Sequence, residues 1–226
     1  RGLFAAGFGA AAAAVAWRGI STGHIPLQNL FEIFVAMGAL IYPLAMAWGR
    51  LPGGAGRADP LLGFLILFPA GFVFPERPRP LPPALQSPLF APHVLVYLIA
   101  YILLFKAAAL ALAQFRARPP EEWRAIEGSA HRLAEWGYPM LTLGLLLGAW
   151  WGKLAWGSYW HWDPKEMWAL ATWLVYTGYF HARTTLAPDA SRARAALLLA
   201  GFAAIVLTLT WVNLSRLFPG LHSYAM

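Results

Sequence analysis

Seven long apolar runs, separated by short connections that hold nearly all the charge, constrain this chain more than any other feature. They cover Leu3 to Trp17, Phe31 to Trp48, Pro60 to Phe74, His93 to Phe115, Tyr138 to Trp156, Glu166 to His181 and Ala193 to Leu214. A bilayer-crossing helix needs about 20 apolar residues, and lipid offers no partners to backbone polar groups, so such runs fold as spanning helices. The predicted fold is all-α, a polytopic transmembrane bundle of about seven spans, six to eight allowing for the third run, which is short and carries Pro69. The whole chain, 1–226, is read as one integral membrane domain. With 59% hydrophobic and 12% charged residues and a mean hydropathy of +0.54, a water-soluble or disordered chain is excluded. The net charge of +7 reads as positive connections on the inner side, not as a nucleic-acid footprint. Cysteine is absent, so any metal must be held by His, Met or carboxylate. A first residue of Arg1 in place of Met implies a missing or processed N-terminus.

The positive-inside rule gives an orientation. With Arg1 inside, ten Arg (1, 50, 57, 116, 118, 124, 132, 183, 192 and 194) are inner and six cations (Arg18, Arg77, Arg79, Lys153, Lys165, Arg216) are outer. Dropping the third span flips the first two helices but not the last four, which the Arg-rich segment Arg116 to Arg132 fixes. The outer segments are then Glu76 to Pro92, which is Pro-rich and extended, Trp150 to Lys165, and Ser215 to Met226.

This topology sorts the six histidines. His93 lies at the outer mouth of the fourth span and His222 just outside the seventh, so both reach one face. His161 lies among Trp150, Trp151, Trp156, Tyr159, Trp160, Trp162 and Trp168, whereas His181 sits at the inner end of the sixth span. Seven of the twelve Trp fall between Trp150 and Trp173, a local platform and not a generic interfacial belt. Two imidazoles bracketing a slab of indoles suit a large, flat, apolar ligand with a metal at its centre. Haem fits best: imidazoles supply axial ligands, indoles stack, and indole N–H groups with Lys165 or Arg216 receive propionates.

The segment WGSYWHWDPKEMWALATWLVYTGYFHAR, from Trp156 to Arg183, closely resembles the tryptophan-rich WWD signature of haem-handling proteins in cytochrome c maturation. Its continuation past Asp163 is similar to the CcsA (ResC) family of system II cytochrome c biogenesis, with the CcmC and CcmF families more distant. GHIPLQNLFE, PALQSPLFAPHV and GLHSY resemble further stretches of that family, so the likeness runs from His24 nearly to the end. The resemblance implies that His93 and His222 are the external ligands of the haem iron and that His181 is the transmembrane histidine of a haem site facing the inner side. It also implies that Trp156, Gly157, Trp160, Trp162 and Asp163, within an external WWD segment spanning 150–168, hold haem for presentation. The position of His161 is commonly Ser in the family, and its extra imidazole is read as a local hydrogen-bonder in preference to a ligand.

The implied function is the haem-handling subunit of the system II cytochrome c synthetase, an enzyme component acting with a CcsB/ResB-type membrane partner. It would move haem b across the bilayer and present it on the outer (periplasmic or lumenal) face of a bacterial inner or thylakoid membrane, for thioether attachment to the CxxCH segment of apocytochrome c. No catalytic residue beyond haem presentation is expected, and nucleic acid is not an expected partner. The alternative is a bis-His b-type membrane cytochrome for quinone-linked electron transfer. Elsewhere, Asp163 before Pro164 reads as a helix cap. Lys165 and Glu166 pair either with propionates or with each other. Lys106 is either functional or a snorkelling cation. Trp168 and Trp173 read as packing residues, His131 as a solvated loop residue, and GHIPLQN as a shaper of the outer cavity.

Overall fold

A computed structural model describes residues 2–48, 51–52, 56, 58–116, 120–187, 189–211 and 220–222. Arg1, Arg50, Arg57, Arg118 and Arg216, used in the charge count, lie outside the described residues, as does most of the segment from Ser215 to Met226. The described residues form α1 (Gly2–Thr22), α2 (Leu30–Trp48), α3 (Asp59–Phe72), α4 (Phe90–Gln114), α5 (Pro120–Trp156), α6 (Pro164–Thr185) and α7 (Ser191–Val206). A wider π-helical turn, Leu207–Trp211, continues α7, and one 3-10 turn, Pro83–Leu85, interrupts the Pro-rich connection. No strand occurs among them, so the chain is the expected all-helical bundle.

Four stretches are long and apolar enough to cross a membrane alone: α1, α2, α4 and Ser191–Thr210. The third helix is the short one, 14 residues with Pro60 at its start and Pro69 inside, or about 21 Å against a hydrocarbon core of about 30 Å. It still reverses the chain. The Arg18 guanidinium donates to the Glu76 carbonyl and Gln28 Nε2 to the Pro80 carbonyl at 3.1 Å. The connection after α3 therefore lies at the same end as the α1–α2 loop.

The fifth helix differs from expectation. It begins at Pro120 and runs 37 residues, about 55 Å, so its first turns project well beyond a bilayer. The segment read as an Arg-rich connection continues the helix because Ile126, Ala130, Leu133, Ala134 and Gly137 place a buried stripe on one face. His131 is therefore not a solvated loop residue. It is half-buried on α5, bonded to the Tyr179 hydroxyl at 3.0 Å and packed against the rings of Tyr179 and Phe180. Beside it, Glu127 joins Arg183 of α6 at 3.2 Å and Arg194 of α7 at 2.8 Å. One carboxylate thus ties three helices at the Arg-rich end.

The fourth helix is the centre of the bundle, with Ala100, Ile102, Leu104, Ala107 and Ala111 fully buried. Helix α5 lies close along it because glycines face bulky residues of α4: Gly137 meets Leu104, and Gly144 meets Tyr97. Small residues at such contacts let spanning helices approach where no hydrophobic effect drives them together. Lys106, on this buried face, does not snorkel. It is 1% exposed and its ammonium stands 2.8 Å from Asp59 of α3, itself 2% exposed. This ion pair anchors the short third helix.

Removing one partner of a buried pair strands a charge, at a cost of about 3–5 kcal/mol. Lys106→Met is expected to lower the thermal midpoint in detergent strongly, and adding Asp59→Leu to restore much of it. Equal midpoints for wild type and Lys106→Met would show that the pair anchors nothing.

Candidate haem-binding site

The segment between α5 and α6, residues 157–163, is shaped by its backbone. Gly157 follows the last turn of α5 with φ +89°, a region open to glycine, and its N–H bonds the Lys153 carbonyl at 3.1 Å. Trp162 also takes positive φ, 57°, which for a bulky residue stores strain of order 1–3 kcal/mol. What holds it is the start of α6. Asp163 is extended, its carboxylate accepts from the Lys165 N–H at 2.9 Å, and Glu166 reaches back to the N–H groups of Asp163 and His161 at 3.2 and 2.8 Å. This is a reciprocal capping box on a helix whose first residue is proline.

Asp163 also organises the far end of the chain. Its Oδ2 accepts from the Leu221 N–H at 2.6 Å, and its Oδ1 lies 2.9 Å from His222 Nδ1. Gly220 permits this contact, because a Cβ there would collide with the Asp163 carboxylate. Burial alone would raise the Asp163 carboxyl. The hydrogen bond and charge of His222, with the N–H groups of Lys165 and Leu221, hold it instead at about 2. Burial pushes the His222 imidazole below its ordinary value, against the upward pull of Asp163 and aided by the Lys165 charge. Near neutral pH the pair is a carboxylate and a neutral imidazole donating from Nδ1.

His93 occupies the first turns of α4, with Nδ1 2.9 Å from the Gly144 carbonyl of α5. A carbonyl only accepts, so Nδ1 carries the proton and Nε2 keeps its lone pair. Gly148 makes the slot: a Cβ there would stand 2.5 Å from the His93 ring. Between the two histidines lies Trp151, 1% exposed, its ring stacked on His93 at 5.8 Å and tilted against His222 at 5.6 Å. Trp156 meets both Trp151 and His222 edge-on at 4.7 Å.

His93, His222, Trp151, Trp160, Lys165 and Gln28 all line one cavity of about 1030 Å³, open solvent at its mouth included. The structure thus brings together His93, His222 and Trp160, with Trp156 and Asp163 behind them and Gly157 at the turn. It does not bring in Trp162, which is 68% exposed. His181 is exposed near the opposite end of α6, about 27 Å along the helix from Asp163. The extra imidazole of His161 serves locally, 2.9 Å from the Ser158 hydroxyl.

Sequence reasoning placed Trp151 in the aromatic slab but missed it as the central platform, and it missed the glycine slot. A Gly-x-x-x-Gly pair, Gly144 and Gly148, just before Trp151 was the available signal. Two further expectations change. The Trp151 indole N–H bonds the Ala84 carbonyl at 2.9 Å, so it is committed to the scaffold. Lys165 and Glu166 are not a pair: Glu166 is spent on the cap, while Lys165 lines the cavity with no ion pair among the described residues. The GHIPLQN loop does shape the cavity. Buried Glu32 binds Arg18 at 2.9 Å and the Gln28 N–H at 2.8 Å, setting Leu27, Gln28 and Asn29 into its wall.

The His222–Asp163 pair has a defined pH signature. His222 titrates lower when folded, so the unfolded chain takes up its proton first and stability falls as pH drops through about 6.5. The Asp163 contribution is present above about 4 and is lost as pH falls through about 2. Imidazole nitrogen NMR of the ligand-free protein should give a His222 midpoint below 6.5, lower still in Asp163→Asn. A midpoint above 6.5 contradicts the arrangement.

The family model described as cytochrome C assembly protein matches residues 13–222. A protein of Synechococcus sp. (strain JA-2-3B'a(2-13)) named cytochrome c biogenesis protein CcsA is 30% identical, over 94% of this chain and 81% of its own length. Proteins of the same name from Guillardia theta and Chlamydomonas reinhardtii are 30% and 34% identical, over 92% and 90% of this chain and 79% and 62% of their own lengths. With seven α-helices and four stretches apolar enough to span a bilayer among the described residues, and a family match along almost the whole chain, this integral membrane protein belongs to the cytochrome c assembly protein family, in its CcsA branch, and has a role in cytochrome c biogenesis.

Proposed function

We propose that this chain carries haem b across the membrane and holds it in the outer cavity between His93 and His222 for covalent attachment to apocytochrome c. The observation that carries this reading is the pair of Nδ1 hydrogen bonds, His93 to Gly144 and His222 to Asp163. Each fixes a ring and a tautomer, raises ligand basicity, and assigns metal ligation to Nε2. The cavity residues fit the cargo: aromatic walls for a flat macrocycle, two imidazoles for its iron, and the Lys165 ammonium for a propionate.

In this reading the apocytochrome brings its CxxCH segment to the cavity mouth and its histidine replaces one external ligand. Each thiol then adds across a haem vinyl group, sulfur to one carbon and hydrogen to the other. The chain contributes proximity and orientation. The aromatic segment 150–168 faces the outer (periplasmic or lumenal) side of a bacterial inner or thylakoid membrane, within a single membrane domain. His181 faces out of the bundle, so a haem site there needs a second surface, which a CcsB/ResB-type partner would supply. The quinone-linked cytochrome needs a ligand pair at each end. At the Arg-rich end His131 has both ring nitrogens engaged, by Tyr179 at 3.0 Å and Glu135 at 3.4 Å, which disfavours that alternative.

Purified with its partner and loaded with haem, the protein should show a low-spin spectrum that is lost in His93→Gly and in His222→Gly. Added imidazole should restore cytochrome c maturation in both variants. Unchanged haem content and spectrum after both substitutions would refute external ligation. For Lys165, wild type should bind haem about tenfold more tightly than haem dimethyl ester, and Lys165→Met should bind the two equally. Retained discrimination in the variant would remove Lys165 from the propionate role and leave the iron ligands untouched.

A further inference from the structure

A second cavity, of about 360 Å³ with open solvent at its mouth included, lies at the Arg-rich end where the C-terminus of α4 meets the first turns of α5 and α7. It is lined by Gln114, Phe115, Trp123, Arg192 and Ala195. Its volume is about a third of the outer cavity, too small for a tetrapyrrole, and it belongs to none of the haem contacts described above.

The polar groups around it are donors. Gln114 is 6% exposed, and its Nε2 has no hydrogen-bond partner among the described residues. A desolvated amide donor is costly to leave unmet, so it points to an acceptor that the chain does not itself provide. Arg192 is exposed and makes no ion pair among the described residues. Its guanidinium offers a planar fork suited to paired anionic oxygens. Ala190, the residue before α7, has no side chain able to cap the helix, so no N-cap side chain competes for the first-turn N–H groups and positive end of that 16-residue helix. The acidic residues of the α5 first turn, Glu121 and Glu122, are exposed and do not line the cavity. Glu127 is committed to Arg183 and Arg194, and Asp189, just before α7, is exposed and does not line the cavity.

We infer that this cavity is an anion site for a phosphate group, held by the Arg192 guanidinium and the Gln114 amide. The unprotonated oxygens of a phosphate accept hydrogen bonds, matching the Arg192 guanidinium and the unmet Gln114 Nε2. The position also suits it. Gln114 closes the α4 span, and basic pockets between helices at the edge of the apolar layer bind anionic headgroups. The phosphate can be lipid-borne or free, and the two sources separate by experiment.

The test uses the protein with its partner, as wild type, Arg192→Gln and Gln114→Leu. In nanodiscs of phosphatidylcholine doped with phosphatidylglycerol, native mass spectrometry would count retained anionic lipid. In parallel, thermal unfolding in phosphatidylcholine alone would be followed against inorganic phosphate. Expected for a lipid source is one tightly held phosphatidylglycerol on wild type and at least tenfold weaker retention in both variants. Expected for a free source is a phosphate-dependent rise in midpoint that both variants lose. Because Arg192 is exposed, Arg192→Gln should fold even if Gln114→Leu does not. Identical lipid retention and identical phosphate response in wild type and Arg192→Gln would overturn the site.

Discussion

One carboxylate, Asp163, joins three parts of this molecule that are remote in sequence. It caps α6, it closes the strained turn that begins at Gly157, and it holds the Leu221–His222 segment against that turn. The capping interaction alone is worth about 1 kcal/mol. Its larger consequence is geometric. The helix start and the histidine are fixed by the same two oxygens, so whatever positions α6 also positions His222. A motif aspartate and an external histidine thus act as one unit, with the carboxylate as a positioning residue for the imidazole.

The opposite wall is built by absence of side chains. Gly144 and Gly148 let α4 and α5 close to a distance at which the His93 ring fills the groove and bonds a backbone carbonyl. Trp151, one turn further on, then stacks against that ring and reaches the His222 side as well. The Arg-rich end follows another logic, salt bridges from Glu127 and a hydrogen-bonded His131. One end is therefore a shaped aromatic receptacle, and the other is a charged clasp.

The sequence made the helices legible because lipid leaves no other way to satisfy backbone polar groups, and even the weak third run formed a short helix that reverses the chain. The helix cap at Asp163 was readable from Asp-Pro, a local pattern with a local cause, whereas the return bond of Glu166 that completes the cap was not. The association of His93 with His222 followed from counting spans, since parity alone puts them on one face. What stayed hidden depended on tertiary partners. Lys106 looked like a snorkelling or functional cation until Asp59, 47 residues earlier, was found beside it. His131 looked solvated because neighbouring arginines masked an amphipathic stripe. Trp151 was one indole among many, and only its position between two imidazoles distinguishes it. Trp162, drawn in by its motif, turns outward instead.

The central claim is that two imidazoles, each with Nδ1 committed to an acceptor, ligate one iron through Nε2. The most direct measurement is hyperfine spectroscopy of the low-spin ferric haem complex, made with histidine labelled with 15N at Nε2 only. The account predicts two labelled axial nitrogens in the wild-type complex, with one lost in His93→Gly and the other in His222→Gly. Coupling to a single histidine, or coupling through unlabelled Nδ1, would contradict it.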